Sequence, residues 1–205
     1  MSAPGPARPE SLPPPLVLAS ASPRRAELLE RVGYSFSVRA ADVDESAFPD
    51  ERPSDYVARL AAAKAEAVWE PGVVVVAADT CVVAPDGSIL GKPADAVDAL
   101  RMLRSLAGRT HSALSAVRVT SVDGTTTDVL GVALVRFAPT DPDVLAGYVA
   151  GGEPLDKAGG YAIQGQGAAL VESIDGDPTT VIGLPLRETI DALRVLGLAP
   201  PVFGA

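Results

Sequence analysis

The stretch LVLASASPRRAELL, residues 16–29, joins a short apolar strand to the start of a helix. Its first four residues predict a buried strand. Ser22-Pro23 predicts a helix start, because a serine oxygen can accept a bond from a free N–H and proline needs no donor at the first helical position. Arg24 and Arg25 then fall in the first turn, where the helix dipole disfavours each cation by about 0.3–1 kcal/mol. A bound anion would offset that cost, so the stretch predicts a phosphate site. The alternative is a pair of solvated arginines on a surface helix.

Composition excludes several classes of protein. The 205 residues suffice for one large domain or two small lobes around a core. A net charge of -9 argues against a nucleic acid polymer as partner, because such partners favour a broad basic face. No apolar run approaches the roughly 20 residues that span a bilayer, and the proline-rich N-terminus lacks the apolar centre of a secretory signal. The single cysteine, Cys81, is typical of a reducing compartment, so we expect a cytoplasmic protein without membrane attachment.

Strand and helix patterns fill most of the chain. We expect a disordered proline-rich tail at 1–15, a single domain at 16–200 and a short C-terminal tail at 201–205. Long antiparallel strand pairs mixed with helices predict an α/β fold of mixed α+β character. Its twisted mixed sheet should be flanked by helices, in an elongated molecule with a central cleft between two lobes. Beyond residue 33, the predicted strands are 34–40, 73–84, 110–120, 126–137 and 168–174, and the predicted helices are 53–69, the segment between Asp95 and Gly108, 141–150 and 185–196.

Asp79 lies in the middle of the valine-rich stretch 73–84. This stretch predicts a buried strand that is interrupted at Asp79-Thr80. A carboxylate there is costly to bury unless a cation or a metal pairs with it. The alternative is an aspartate at an exposed strand end. One candidate partner, Lys64, lies on an apolar helix face, where its stem could instead pack while the ammonium reaches solvent. The candidate cations are Lys64, Lys92 and Lys157.

The acidic loop 42–51 offers a second carboxylate. In an extended segment the adjacent side chains of Asp44 and Glu45 point in opposite directions, so one of them would face a site. Mg²⁺ usually takes one or two carboxylates together with substrate phosphate oxygens, which makes Glu45 and Asp79 the candidate pair. A solvated acidic loop is the alternative. His111, the only histidine, cannot build a zinc site without further Cys or His ligands, and we expect it to form a structural hydrogen bond.

Ordered blocks between Leu16 and Leu196 resemble the Maf family of nucleoside triphosphate pyrophosphatases. The resemblance implies hydrolysis of a nucleoside triphosphate to the monophosphate and pyrophosphate with a divalent metal, Mg²⁺ or Mn²⁺. It is also compatible with a homodimer. The matching blocks are LASASPRRAELL, DVDE, YVARLAAAKA, AADTCVV, ILGKP, LAGRTH, YVAGGEPLDKAGGYAIQGQGAALVESI and VIGLPL.

The resemblance also implies a role for individual residues. Asp79 would be the general base that activates water, and Glu45 would join it as a metal or water ligand. Arg24 and Arg25 would bind the triphosphate. The further substrate-binding residues are Ser20, Lys64, Thr80, Lys92 and Gln164.

The branch of the family that prefers dTTP and UTP is similar in three positions, here Arg25, Thr80 and Gln164. Two segments depart from the family pattern. Ser115-Ala116-Val117 stands where a threonine is common, and residues 177–180 replace a more usual serine-asparagine pattern. The alternatives are a pyrophosphatase for a modified nucleotide such as 7-methyl-GTP, or a nucleotide-binding regulator of cell division and septum formation.

Overall fold

The computed structural model describes residues 13–200. The tails predicted at 1–15 and 201–205 lie outside these residues, apart from 13–15, which have no regular structure. None of the helices in this part of the chain has the length and apolar character that a membrane crossing requires. The strands are β1 (Leu16–Leu18), β2 (Ser37–Val38), β3 (Val74–Val83), β4 (Ile89–Leu90), β5 (Thr110–Thr120), β6 (Thr126–Phe137) and β7 (Val171–Asp175). The helices are α1 (Pro23–Arg31), α2 (Pro53–Val68), α3 (Ala96–Leu106), α4 (Pro142–Ala150), α5 (Pro178–Ile182) and α6 (Leu186–Val195).

The strands form one seven-stranded mixed sheet, in the order β2-β1-β3-β5-β6-β7 with β4 beside β3. Strand β1 runs parallel to both β2 and β3, whereas the remaining pairs are antiparallel. Asp95 caps α3 by accepting a bond from the N–H of Asp98. The mixed α/β fold with a helix-flanked sheet is confirmed.

Strand β3 has a gap along one of its edges. On that edge β1 pairs with the first three residues of β3, and β4 pairs with Val82 and Val83 of β3. Along the other edge β5 pairs without a break from Val75 to Val83. Within the described chain, residues 77–81 therefore lack a strand partner on the β1 side. The interruption predicted at Asp79-Thr80 is wrong, because both residues keep their partners on β5.

Successive side chains of β3 point to opposite faces of the sheet and enter different cores. The odd-numbered ones face α2, where Ala77 packs in a cluster with Ala65. The even-numbered ones face the other helices in two separate clusters. Val76 belongs to the cluster that contains α1 and α6, and Val82 to the cluster that contains α3 and α4. The two clusters correspond to the predicted lobes, and the gap in β3 lies between them.

Three segments differ from the prediction. The strand predicted at 34–40 shrinks to β2, because its partner β1 has only three residues with which to pair. The strand predicted at 168–174 begins later, because Gln166–Leu170 forms a 3-10 helix. Helix α5 is not predicted, although Asp177-Pro178 is the same start signal as Asp141-Pro142 at α4. Its five residues are too few to show a helical period.

Candidate active site

A cleft of about 300 Å³ opens at the gap in β3 and gathers all of the predicted site residues. Asp79 and Thr80 come from the middle of β3, and the other side chains come from the elements and loops around it. The turn after β1 and the first turn of α1 form one wall, and the acidic loop, α2 and the segment after β4 form others. The predicted residues that line it are Ser20, Arg24, Arg25, Glu45, Lys64, Asp79, Thr80, Lys92 and Gln164.

On the α2 side of β3, two carboxylates meet on one ammonium. Lys64 Nζ lies 2.6 Å from Asp79 Oδ1 and 2.6 Å from Glu45 Oε1. The side chains of Lys64 and Asp79 are each only 10% exposed, so this pairing makes the burial of both charges tolerable. The alternative in which the Lys64 ammonium reaches solvent is wrong. Asp44 points elsewhere and accepts a bond from the N–H of Ser46.

The two carboxylates differ in acidity. Burial raises the pKa of Asp79, and the charge of Lys64 only partly opposes this effect. Partial burial acts in the same direction on Glu45, but the hydrogen bond and the charge of Lys64 outweigh it and lower the pKa of that side chain. Asp79 is therefore the stronger base of the pair, while Glu45 remains an anion.

On the opposite side of β3, Arg25 is buried and bonded to neutral oxygens. Its guanidinium donates to Ser20 Oγ at 2.9 Å, to Thr80 Oγ1 at 3.0 Å and to Gly183 O at 2.8 Å. Gly183 has a φ of 126°, which residues with a side chain rarely adopt, so a glycine is needed there. Burial lowers the pKa of Arg25, while the charge of Asp79 opposes that shift. A guanidinium has five N–H groups, so some donors of Arg25 remain for a ligand.

Helix α1 presents its N-terminus to this cleft. Ser22 occupies the N-cap position, but its side chain makes no capping bond, contrary to the prediction. Its own N–H donates instead to Ser20 Oγ at 3.2 Å. The first-turn N–H groups are therefore not occupied by the Ser22 hydroxyl, which suits an anion-binding helix end.

The side chains of Arg24 and Lys157 both pair with Asp156. Arg24 Nη1 lies 3.5 Å from Asp156 Oδ2 at the mouth of the cleft. Lys157 is one of the three candidate cations for Asp79, but it does not pair with Asp79. Its ammonium donates to the backbone oxygen of Glu153 at 2.7 Å and pairs with Asp156.

The glycine-rich segment 151–167 forms the wall that carries Gln164. Behind it, His111 Nε2 lies 2.8 Å from the hydroxyl of Tyr161, which also lines the cleft. The predicted structural hydrogen bond of His111 is confirmed. Burial lowers the pKa of His111 to about 4. Sequence reasoning missed Glu153, whose carboxylate accepts bonds from the N–H groups of Gln166 and Gly167 and so holds this segment together.

The carboxylate pair could hold a metal that takes its other ligands from a substrate. Within residues 13–200, no group of three or more His, Cys, Asp and Glu side chains gathers in a way that could hold a metal ion. Glu45 and Asp79 nevertheless each have an oxygen 2.6 Å from Lys64 Nζ, so the two carboxylates lie close enough together to share a cation. Two carboxylates plus phosphate oxygens is a ligand set that Mg²⁺ commonly uses. The residues present therefore fit such an ion.

The family model described as "Maf-like protein" matches residues 15–196. The chain belongs to the Maf family. A dTTP/UTP pyrophosphatase of Anaeromyxobacter dehalogenans (strain 2CP-1) is 51% identical to it over 92% of this chain and 97% of the relative. A dTTP/UTP pyrophosphatase of Symbiobacterium thermophilum is 47% identical over 92% of this chain and 96% of the relative. The solved structure of a HAM1 protein from Coxiella burnetii is 13% identical, with a TM-score of 0.47 and coverage of 88% of this chain and 98% of the other.

The two departures from the Maf pattern lie together in the fold. Ser115 Oγ donates to the backbone oxygen of Thr180 at 2.7 Å, next to Thr80. Neither position carries a charge, and they are 65 residues apart. Nothing in the Maf-like sequence blocks signals the contact, so sequence reasoning did not connect them.

Proposed function

We propose that this chain hydrolyses a nucleoside triphosphate to the monophosphate and pyrophosphate, with dTTP and UTP preferred. One observation carries the proposal. The buried guanidinium of Arg25, bonded to neutral oxygens, faces a cleft whose opposite wall holds the carboxylates of Asp79 and Glu45. A cation without a bonded carboxylate suits an anionic ligand, and a carboxylate of raised pKa suits proton abstraction. The names of the relatives, dTTP/UTP pyrophosphatases, support this reading.

In this mechanism Asp79 accepts a proton from a water molecule whose oxygen attacks the α-phosphorus. The bond from that phosphorus to its bridging oxygen breaks, and pyrophosphate leaves with the electron pair. Arg25, Arg24, Lys92 and the N-terminus of α1 stabilise the negative charge on the phosphate oxygens. Lys64 keeps the Asp79 carboxylate oriented in the cleft.

We also propose that Glu45 and Asp79 hold Mg²⁺ or Mn²⁺ together with phosphate oxygens of the substrate. Such an ion supplies charge neutralisation at the anhydride when it is bound. Turnover should then vanish in excess chelator and return when Mg²⁺ or Mn²⁺ is added back. Turnover that is unchanged by chelation would discard the metal and the role of Glu45 in holding it.

We assign the preference for a pyrimidine base to Gln164. Its amide has both a donor and an acceptor, which match the N3–H and the flanking carbonyls of uracil or thymine. A base that leaves such groups unpaired should be rejected by ~10²-fold or more, which corresponds to about 3 kcal/mol. Purine triphosphates and 7-methyl-GTP should therefore be poor substrates.

The test is kcat/KM, from pyrophosphate release, for dTTP, UTP, ATP, GTP and 7-methyl-GTP. Gln164→Ala should erode the pyrimidine preference. Gln166→Ala is the matched control, because Gln166 belongs to the same segment but does not line the cleft. A clear preference for purines would overturn the assignment of a pyrimidine base but would leave the proposed pyrophosphatase activity standing. Nucleotide binding without any turnover would favour a regulator that binds nucleotide.

A further inference from the structure

A chain of hydrogen bonds runs from the cleft into the core behind β3. Arg25 Nη2 donates to Thr80 Oγ1 at 3.0 Å, and Thr80 Oγ1 lies 2.7 Å from Ser115 Oγ. Ser115 Oγ in turn lies 2.7 Å from the backbone oxygen of Thr180, near the end of α5. Ser115 and Thr180 are fully buried, whereas Thr80 reaches the cleft.

The direction of each bond follows from counting protons. A carbonyl can only accept, so the single hydroxyl proton of Ser115 belongs to its bond with Thr180. This carbonyl depends on Ser115, because within the described chain the N–H groups of Gly183 and Leu184 both donate to Thr179 instead. A buried carbonyl near a helix end needs such a donor. The proton between Thr80 and Ser115 must therefore come from Thr80.

The competing partner of the Thr80 hydroxyl is weaker. The backbone oxygen of Gly183 lies 3.3 Å from Thr80 Oγ1 and already accepts from Arg25 Nε at 2.8 Å. Ser115 is nearer at 2.7 Å and has a free lone pair. The Thr80 proton therefore points away from the cleft, toward Ser115.

A glycine allows α5 to come close enough for this chain. Gly131 lies opposite Ser115 on β6. A Cβ at Gly131 would overlap Thr180 Oγ1 and would come within 2.9 Å of Pro185 Cβ. Any larger residue would displace α5 and separate Ser115 from its acceptor.

We infer that Ser115 is a positioning residue, which holds the Thr80 hydroxyl as a hydrogen-bond acceptor toward the cleft. Thr80 lines the cleft, and its Oγ1 accepts one bond from Arg25, which leaves one lone pair for a ligand. The site therefore favours a substrate that presents an N–H or O–H donor at this point. This inference rests on the proposed function, in which the ligand is a nucleotide. Two parts of dTTP carry such a donor. One is the 3′-hydroxyl of the sugar, and the other is the N3–H of thymine, in which case Gln164 would bind the flanking carbonyls only.

The experiment compares two pairs of substrates, and in each pair one of these donors is removed. Thymidine triphosphate is compared with 5-methyl-dCTP, which has no N3–H, and with its 3′-deoxy analogue, which has no 3′-hydroxyl. Each ratio is measured within one enzyme, as kcat/KM and as dissociation constants, so that a general loss of folded protein cancels. The variants are Ser115→Ala, the conservative Ser115→Thr and the control Thr189→Ala. Thr189 is a buried residue whose hydroxyl also donates to a backbone oxygen, that of Pro185, at 2.8 Å.

In Ser115→Ala the Thr80 proton is free to turn toward the cleft, so one of the two ratios should fall about tenfold. Ser115→Thr and Thr189→Ala should keep both ratios. A fall confined to the 5-methyl-dCTP pair assigns the donor to the base, and a fall confined to the 3′-deoxy pair assigns it to the sugar. Unchanged ratios in Ser115→Ala, or equal losses in Ser115→Thr, would overturn the inference. Absent turnover in the unsubstituted protein, together with a ratio of dissociation constants that still falls in Ser115→Ala, would contradict the proposed function and leave this inference standing.

Discussion

A cation is buried on each side of strand β3, but different partners stabilise it on the two sides. On the α2 side, Lys64 is neutralised by two carboxylates, one of which comes from a half-exposed loop residue. On the other side, Arg25 is bonded to hydroxyl and carbonyl oxygens that carry no charge. The α2 side can exchange partners or take up a proton, because its groups are ionic and partly open. The Arg25 side is fixed in geometry and keeps its positive charge for a ligand. In the proposed function, the α2 side carries the chemistry and the Arg25 side carries the recognition of the substrate.

The largest expected effect tests the α2 side. Asp79→Asn keeps the shape of the side chain but cannot accept a proton from water, so turnover should fall by ~10²–10⁴-fold. Nucleotide affinity measured without added metal should stay within a few-fold, since the Arg25 side is untouched. Steady-state kinetics and equilibrium binding measure the two quantities. Asp44→Asn is the control, because Asp44 points away from the cleft. A variant that keeps more than a tenth of the rate would show that Asp79 is not the base.

The next effect tests the Arg25 side. Arg25→Ala should lower kcat/KM by about 10- to 100-fold, since a charge-assisted contact is lost. It should also lower the melting temperature, because three oxygens lose their donor. Arg25→Lys should rescue neither fully, because a single ammonium cannot replace a planar fork. Arg31→Ala, an exposed position of the same helix, is the control. Full rescue by lysine would show that Arg25 acts only through its positive charge.

The smallest expected effect tests His111. This residue lies behind the wall of the cleft on the Arg25 side, away from the carboxylates of the α2 side. The pKa of His111 is lowered from 6.5 to about 4, so between those values the unfolded chain binds more protons than the folded one. Stability should therefore fall as the pH falls through that window, by roughly 2 kcal/mol from this residue between about pH 7 and pH 5. His111→Gln keeps a hydrogen-bonding side chain for Tyr161 and removes the titration. Denaturant unfolding at the two pH values should show a smaller loss in the variant, and equal losses would contradict the assignment.

The sequence alone predicts much of the fold and the membership of the cleft. Charged residues such as Asp79 and Lys64 stand out within apolar runs, and a helix cap such as Asp95 depends only on its near neighbours. The Ser115 contact is invisible at that level, because it joins uncharged residues 65 positions apart. The same holds for Thr80 and Gly183, which are 103 positions apart. Short elements such as β2 and α5 depend on their tertiary partners and have too few residues to show a period.

The unbroken pairing of β3 with β5 limits how the cleft can move. The ladder runs from Val75 to Val83, past the gap and under both core clusters. A hinge between the lobes would have to bend this ladder and break its hydrogen bonds in the middle of the sheet. The framework therefore stays rigid while a substrate enters and a product leaves. We therefore expect any movement at the cleft in the loop of Glu45 and in the glycine-rich segment 151–167, neither of which belongs to a strand.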